Sequence, residues 1–160
     1  LPAKDKMTTP KYQGITNAQI NKFELPENGG VIEIIAGEYE NIKGTAATFT
    51  PVYLLNTKLN KGAKASFNFP ANYNTALLVI EGSVKVNDIK NISTDHFALF
   101  ENEGEEFTIE ATENTVVLVL SGEPIEEPIV AHGPFVMNTQ TEIMQAFSDM
   151  NIGKFGYLED

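Results

Sequence analysis

The chain has 160 residues with a formal net charge of −11, 42% hydrophobic and 21% charged residues, and no cysteine. That length fits one domain with a real core, and the lack of cysteine excludes disulfides and thiolate metal ligands. The acidic balance argues against direct nucleic-acid binding. No apolar run approaches the ~18 residues of a membrane helix, no signal-peptide pattern is visible, and a cytoplasmic location is the expectation.

Residues 1–22 show little periodicity and are punctuated by Pro2, Pro10 and Gly14, so they read as an extended linker or arm. Asn17–Ile20 within them reads as a short helical turn or a strand end. The start at Leu1 rather than Met suggests that residues were removed or that the chain is a piece of a longer protein. Pro26–Gly30 is a turn cluster, Val31–Ala36 the first clear strand, and Gly37–Gly44 a polar loop with Tyr39 and Ile42 as plugs. Val52–Leu59 is the next strand. Asn60-Lys61-Gly62 turns the chain, and Ala65, Phe67 and Phe69 then alternate with polar residues, the period of a strand with one face in a core.

After the loop Pro70–Asn74 comes the stretch 76–87, around which the rest is organised. Leu77–Ile80 is a continuous apolar run, and Ser83–Asn87 alternates. Glu81-Gly82 between them suggests a tight hairpin turn, because glycine accepts a positive φ. Asn87-Asp88 is a second turn signal. Short strands follow at Ile89–Ile92, His96–Phe100, Phe107–Ala111 and Thr115–Leu120. Roughly eight to ten strands at ~8–12 residue spacing, with no helical pattern between them, predict an all-β antiparallel barrel or jelly roll over residues 23–121.

The tail, 122–160, differs. Pro124 and Pro128 lack donors, so this part reads as an extended arm rather than a central strand. Thr139-Gln140-Thr141-Glu142 has capping-box form, with Ile143, Phe147 and Met150 on one face behind it and Gly153 as a stop. A short amphipathic helix over about 140–151 is expected, packed on its own barrel or on a partner.

The inventory for chemistry is poor. His96 and His132 stand in no HxH or HxxxH arrangement; each reads first as a locally bonded residue, and His132 also as a ligand or partner contact. Glu101, Glu103, Glu105 and Glu106 surround one turn, but their spacing matches no calcium loop. No phosphate loop and no Ser/His/Asp arrangement is present. A pocket lined by Phe67, Phe69 and Tyr73 is a candidate for a small aromatic ligand.

Gly122–Thr139, with its Glu-Pro-Ile-Glu-Glu-Pro-Ile-Val-Ala-His-Gly-Pro-Phe-Val-Met-Asn core, closely resembles the C-terminal signature of the pirin family. Ala36–Tyr39, Val79–Asn87 and the opening Leu1–Met7 with Tyr12-Gln13 also look like that family. The resemblance covers nearly the whole chain. It implies a cupin fold, and it implies that this chain is the second half of a two-cupin protein whose linker is the opening stretch. Pirins carry iron in the first cupin, on three histidines and a glutamate; some members have quercetin 2,3-dioxygenase activity and others act as transcriptional co-regulators. The stretch Pro70–Asn74, where a cupin HxH pair would fall, has no histidine, so no metal ligand and no catalytic residue carries over.

The resulting expectation is a metal-free C-terminal cupin with a structural or interaction role. The alternative is the second part of an iron-dependent quercetin 2,3-dioxygenase-type enzyme whose metal lies in the first cupin. The expected partner is the N-terminal cupin half or a second copy of the chain, with no nucleic acid and no membrane. His132, Phe135 and Asn138 in the tail, and Phe67, Phe69 and Tyr73 in the barrel, are the candidate ligand or partner contacts.

Overall fold

A computed structural model describes residues 1–156. The chain divides into two compact units, Lys11–Pro124 and a second formed by Leu1–Pro10 with the chain from Ile125. Among the described residues no helix is long and apolar enough to cross a membrane.

In the larger unit the strands are β1 (Asn21–Leu25), β2 (Gly30–Ala36), β3 (Glu38–Tyr39), β4 (Ile42–Lys43), β5 (Val52–Leu59), β6 (Lys64–Asn68), β7 (Asn74–Glu81), β8 (Ser83–Val86), β9 (Lys90–Ser93), β10 (Phe97–Leu99), β11 (Glu106–Ala111) and β12 (Thr115–Gly122). They form a six-stranded sheet, β1-β2-β5-β12-β7-β10, a four-stranded sheet, β6-β11-β8-β9, and the small hairpin β3-β4. All pairings are antiparallel. The sheets face one another as a jelly roll and do not close into a single barrel. Leu55, Leu77, Val79, Val117 and Val119 from one sheet and Ala65, Phe67, Val84, Phe107 and Ile109 from the other form one core. The alternation expected at Ala65, Phe67 and Phe69 is what fills it.

The expected hairpin over 76–87 is not formed. β7 belongs to the six-stranded sheet and β8 to the four-stranded one, so Glu81-Gly82 is a corner at which the chain changes sheets. Gly82 has φ +73, and a Cβ there would meet the carbonyl oxygen of Asn114 and, at 2.6 Å, the Thr115 hydroxyl. That hydroxyl in turn accepts from the Ser83 backbone N–H at 3.1 Å, so the corner is shaped by residues some thirty positions away in the chain. The hairpin that does form is β8–β9. Its turn puts both Asn87 (φ 49) and Asp88 (φ 56) in the left-handed region, and Ile89 N–H bonds Val86 O at 2.9 Å, the geometry that matches strand twist in tight hairpins. The structure adds β1, whose first two residues fall in the stretch read as linker, and the β3–β4 pair in the stretch read as a polar loop.

The smaller unit contains β13 (Val130–His132), β14 (Phe135–Met137) and α1 (Gln140–Asn151). β13 and β14 pair across a Gly133-Pro134 turn inside the stretch read as an extended arm. The helix bounds and the capping box agree with the sequence: Thr139 Oγ accepts from Glu142 N–H, and the Glu142 carboxylate accepts from Thr139 N–H at 2.7 Å. Ile143, Ala146 and Asp149 are the buried residues of α1, and Met150 faces outward.

Candidate functional site

Phe67, Phe69 and Tyr73 occupy the end of the jelly roll where Pro70–Asn74 enters β7. Aromatic rings pack there one against the next. Phe67 and Phe107 stack at 5.2 Å, Phe100 meets Phe107 at 4.5 Å, and Tyr53 joins Phe69 at 4.8 Å to Tyr73 at 6.3 Å. On the other side Tyr39 links Phe67 to Phe23. Phe67 is 1% exposed. The opening left between Phe69, Tyr73, Phe100 and the Glu101–Glu106 loop has a volume of about 80 Å³, well below the ~300 Å³ and more of ordinary ligand sites. The Tyr39 hydroxyl donates to Ser66 O at 3.1 Å, and burial, with the nearby charge of Glu40, pushes its pKa up to about 12.

The polar groups at this end are held locally. Tyr73 N–H bonds Pro70 O at 2.9 Å, and the Asn102 side-chain amide donates to Asn74 Oδ1 at 3.2 Å. Thr75 and Ser121 hydroxyls bond each other at 2.8 Å in the interior. Away from this end, beside Val79 near the Gly82 corner, His96 Nδ1 lies 3.2 Å from Ser93 Oγ and 3.0 Å from Thr94 O, at the surface. Among the described residues no group of three or more His, Asp or Glu side chains is placed to hold a metal. The described residues therefore offer no donor set that fits an iron.

His132, Phe135 and Asn138 lie in the smaller unit. His132 sets its ring edge-on to Phe147 at 5.5 Å, and Phe135 meets the same ring at 5.0 Å. Asn138 is the centre of a fastening. Its Nδ2 donates to Glu127 Oε2 and to Pro128 O, both at 3.0 Å, and its backbone N–H donates to Glu142 Oε2 at 3.0 Å. Hydrogen bonds from Thr139 and from the Asn138 amide hold the Glu142 carboxyl below its ordinary pKa. Asn138 Oδ1 is buried without a partner.

Beside this fastening runs a groove of about 330 Å³, lined by Met7, Phe135, Met137, Ala146 and Phe155 with Lys6 and Asp149 among them. Its charges already have partners: Lys6 Nζ donates to Val136 O at 3.1 Å and Lys154 pairs with Asp149 at 2.8 Å. What it offers is apolar. Sequence reasoning missed both the groove and Glu127. A signal was present: Met7, Met137, Met144 and Met150, all of the chain's methionines, fall in this unit, and methionine is common on adaptable docking surfaces.

Comparison with known proteins bears on both units. The family profile of the Pirin C-terminal cupin domain matches residues 54–156. Human pirin is 34% identical over 162 residues, covering 98% of this chain and 55% of its own length. Pirin-1 of Arabidopsis thaliana is 36% identical over 163 residues, 98% of this chain and 56% of its own length. A crystal structure of quercetin 2,3-dioxygenase from Acinetobacter baumannii superposes with a TM-score of 0.90 at 45% identity, covering 99% of this chain and 55% of that one. The chain thus spans about half the length of the relatives it matches.

Proposed function

We infer the role of this chain from one premise: it belongs to the Pirin C-terminal cupin domain family. Its role is structural and interactive. It is a cupin that holds no metal of its own and serves as one half of a pirin-like protein. The observation that carries this reading is the packing of Phe67, Phe69, Phe100 and Phe107 into the end of the jelly roll, which leaves an opening of about 80 Å³ beside them. What remains for function is the exterior. The partner is the further half that the relatives carry, a second cupin by the family resemblance, or a second copy of this chain. A cytoplasmic location accords with the cysteine-free composition.

Metal content of the purified chain, measured by plasma mass spectrometry, tests this. Near-zero iron, zinc, copper and manganese is the expected result. About one metal per chain, retained through dialysis against a weak chelator, would overturn it.

A second reading is favoured by the similarity to the Acinetobacter baumannii quercetin 2,3-dioxygenase. In it the chain is the second half of an iron-dependent enzyme of that type, and the iron lies outside this sequence. It predicts no turnover of quercetin by the chain alone, and turnover once the further half is present.

A further inference from the structure

The turn that joins β1 to β2 holds a reactive pair of residues under restraint. Asn28 is the only asparagine of the chain that a glycine follows. Glycine has no Cβ, so its amide nitrogen meets no steric bar on the way to the side-chain carbonyl carbon of the residue before it. Asn28 is exposed to solvent. Glu27 (φ 55) and Asn28 (φ 56) are both left-handed, a strained conformation for non-glycine residues that persists only where neighbours enforce it. Two sets of bonds enforce it here. Gly29 N–H donates to Pro26 O at 2.9 Å, within the turn. Asn60, the residue after β5, donates from Nδ2 to Asn28 O at 2.7 Å and from its backbone N–H to Gly29 O at 2.9 Å. The two carbonyls that flank the Gly29 nitrogen are thus gripped by one residue of a neighbouring turn.

We propose that Asn28-Gly29 is a site of spontaneous backbone modification, and that Asn60 is the latch that sets its rate. When the turn opens, the Gly29 nitrogen gives up its proton to water and attacks Asn28 Cγ. The new N–Cγ bond closes a succinimide ring, and the side-chain nitrogen takes up a proton and leaves as ammonia. Water then adds to one of the two ring carbonyls, and the bond from that carbonyl to the ring nitrogen breaks. Cleavage at Cγ gives aspartate. Cleavage at the α-carbonyl gives isoaspartate, in which the backbone runs on through the side chain. The closed turn opposes the first step twice: Pro26 O holds the Gly29 N–H, and Asn60 keeps the two residues from rotating toward each other. Either product adds a negative charge, and isoaspartate also lengthens the turn. There is no slack for that, because even a Cβ at Gly30 would run into Lys58 O. Among the described residues β1 pairs only with β2, so this edge strand is the element that the lengthened turn loosens first.

The test follows every asparagine at once. The chain is incubated at mildly alkaline pH and digested, and each peptide is read for the mass gain of amide-to-acid exchange. Synthetic peptides distinguish isoaspartate from aspartate by chromatography. The native chain, the chain unfolded in guanidinium chloride and the variant Asn60→Ala are compared. Conversion is expected at Asn28 ahead of every other asparagine. It should be slower in the native chain than in the unfolded one by about tenfold or more, because the closed turn must open first. In Asn60→Ala it should run severalfold faster than in the native chain. Conversion at another asparagine first, or none at Asn28 in any of the three, would overturn the site. Equal rates in the native chain and in Asn60→Ala, or in the native and unfolded chains, would overturn the latch. Should Asn60→Ala not fold, the native chain in low denaturant carries the same test. Conversion at Asn28 is then expected to quicken before global unfolding begins, and a rate that rises only with global unfolding would show that no local latch sets it.

Discussion

Glu127 Oε2 accepts from the side-chain amide of Asn138 at 3.0 Å and from the backbone N–H of Ala3 at 2.6 Å. One carboxylate oxygen thereby ties the arm after β12 to the residue before α1 and to the start of the chain. The tail motif that identifies the family is therefore, in this chain, a fastening. Glu142 extends it by capping α1 and accepting from Asn138 N–H.

Reversing one polar group in that fastening should undo it. Asn138→Asp replaces the Nδ2 donor by an acceptor facing Glu127 Oε2 and Pro128 O. The variant is expected to lose about 2–3 kcal/mol at neutral pH, and to recover part of it as acid protonates the facing carboxylates. Asn138→Ala, which removes the donor without adding charge, should cost less and show no such recovery. Urea unfolding from pH 7 downward separates the two; equal losses at every pH would show that the facing carboxylate is not what Asn138 holds.

The corner at Gly82 offers a comparison within one molecule. Gly82 (φ +73) and Gly104 (φ +76) have nearly the same backbone, yet a Cβ at Gly104 meets nothing within 4 Å while one at Gly82 runs into the 114–115 backbone and the Thr115 hydroxyl. Gly104→Ala should cost about 1–2 kcal/mol, the left-handed penalty alone. Gly82→Ala should cost about 3 kcal/mol or more, because the sheet change must shift as well. Similar costs for the two, measured by thermal or denaturant unfolding, would show that the corner yields freely.

Features whose cause is local are legible in the sequence. The α1 cap is one, since Thr139 and Glu142 satisfy each other within a single turn. The alternation at Ala65, Phe67 and Phe69 is another. The Gly82 corner is not, because a glycine between two apolar strands says that the chain turns, and only Asn114 and Thr115 decide that it changes sheet. The β13–β14 pair is hidden by Pro124, Pro128 and Pro134, and each strand is only three residues long. For the candidate site, the tail motif is readable as a resemblance, but its bond to Ala3 spans 124 positions and has no trace in local pattern. The apolar outward face of the six-stranded sheet is half-readable. The runs Leu77–Ile80 and Val116–Leu120 carry apolar residues on both faces, but which sheet face they share follows only from the register.

Glu33 gives the chain a predictable response to acid. It is 4% exposed. Burial works against its charge, and hydrogen bonds from Lys58, Lys22 and Asn56 outweigh that, so its pKa lies below the ordinary 4.5. A carboxylate with a lowered folded pKa contributes stability that is complete above its unfolded value and is lost as pH falls through its folded value. Glu33→Gln should therefore cost about 1–2 kcal/mol at pH 7, the order expected for hydrogen bonds to a charged group. The gap between the native chain and the variant should narrow below about pH 4. Denaturant unfolding of both at each pH reads the difference directly and cancels the other carboxylates; a gap that stays constant to pH 3 would remove the ionised Glu33 from the account.

The ring packing at the end of the jelly roll makes the last prediction. If Phe67 and its neighbours fill that end, the native chain should bind no small aromatic there, and emptying one ring position should create the missing volume. Phe67→Ala is expected to cost about 3–5 kcal/mol, the transfer of the ring plus the cavity left behind. The cavity is lined by Phe69, Phe107 and Tyr39, and apolar cavities of this kind stay dry and accept guests of benzene size. Benzene or indole should then raise the melting temperature of Phe67→Ala and leave the native chain unchanged. Should the alanine variant fold too weakly to measure, the same comparison is made in sucrose, which strengthens burial in the variant and the native chain alike. A native chain stabilised by indole as strongly as the variant would mean that the rings part to admit a ligand, and would return Phe67, Phe69 and Tyr73 to the role of ligand contacts.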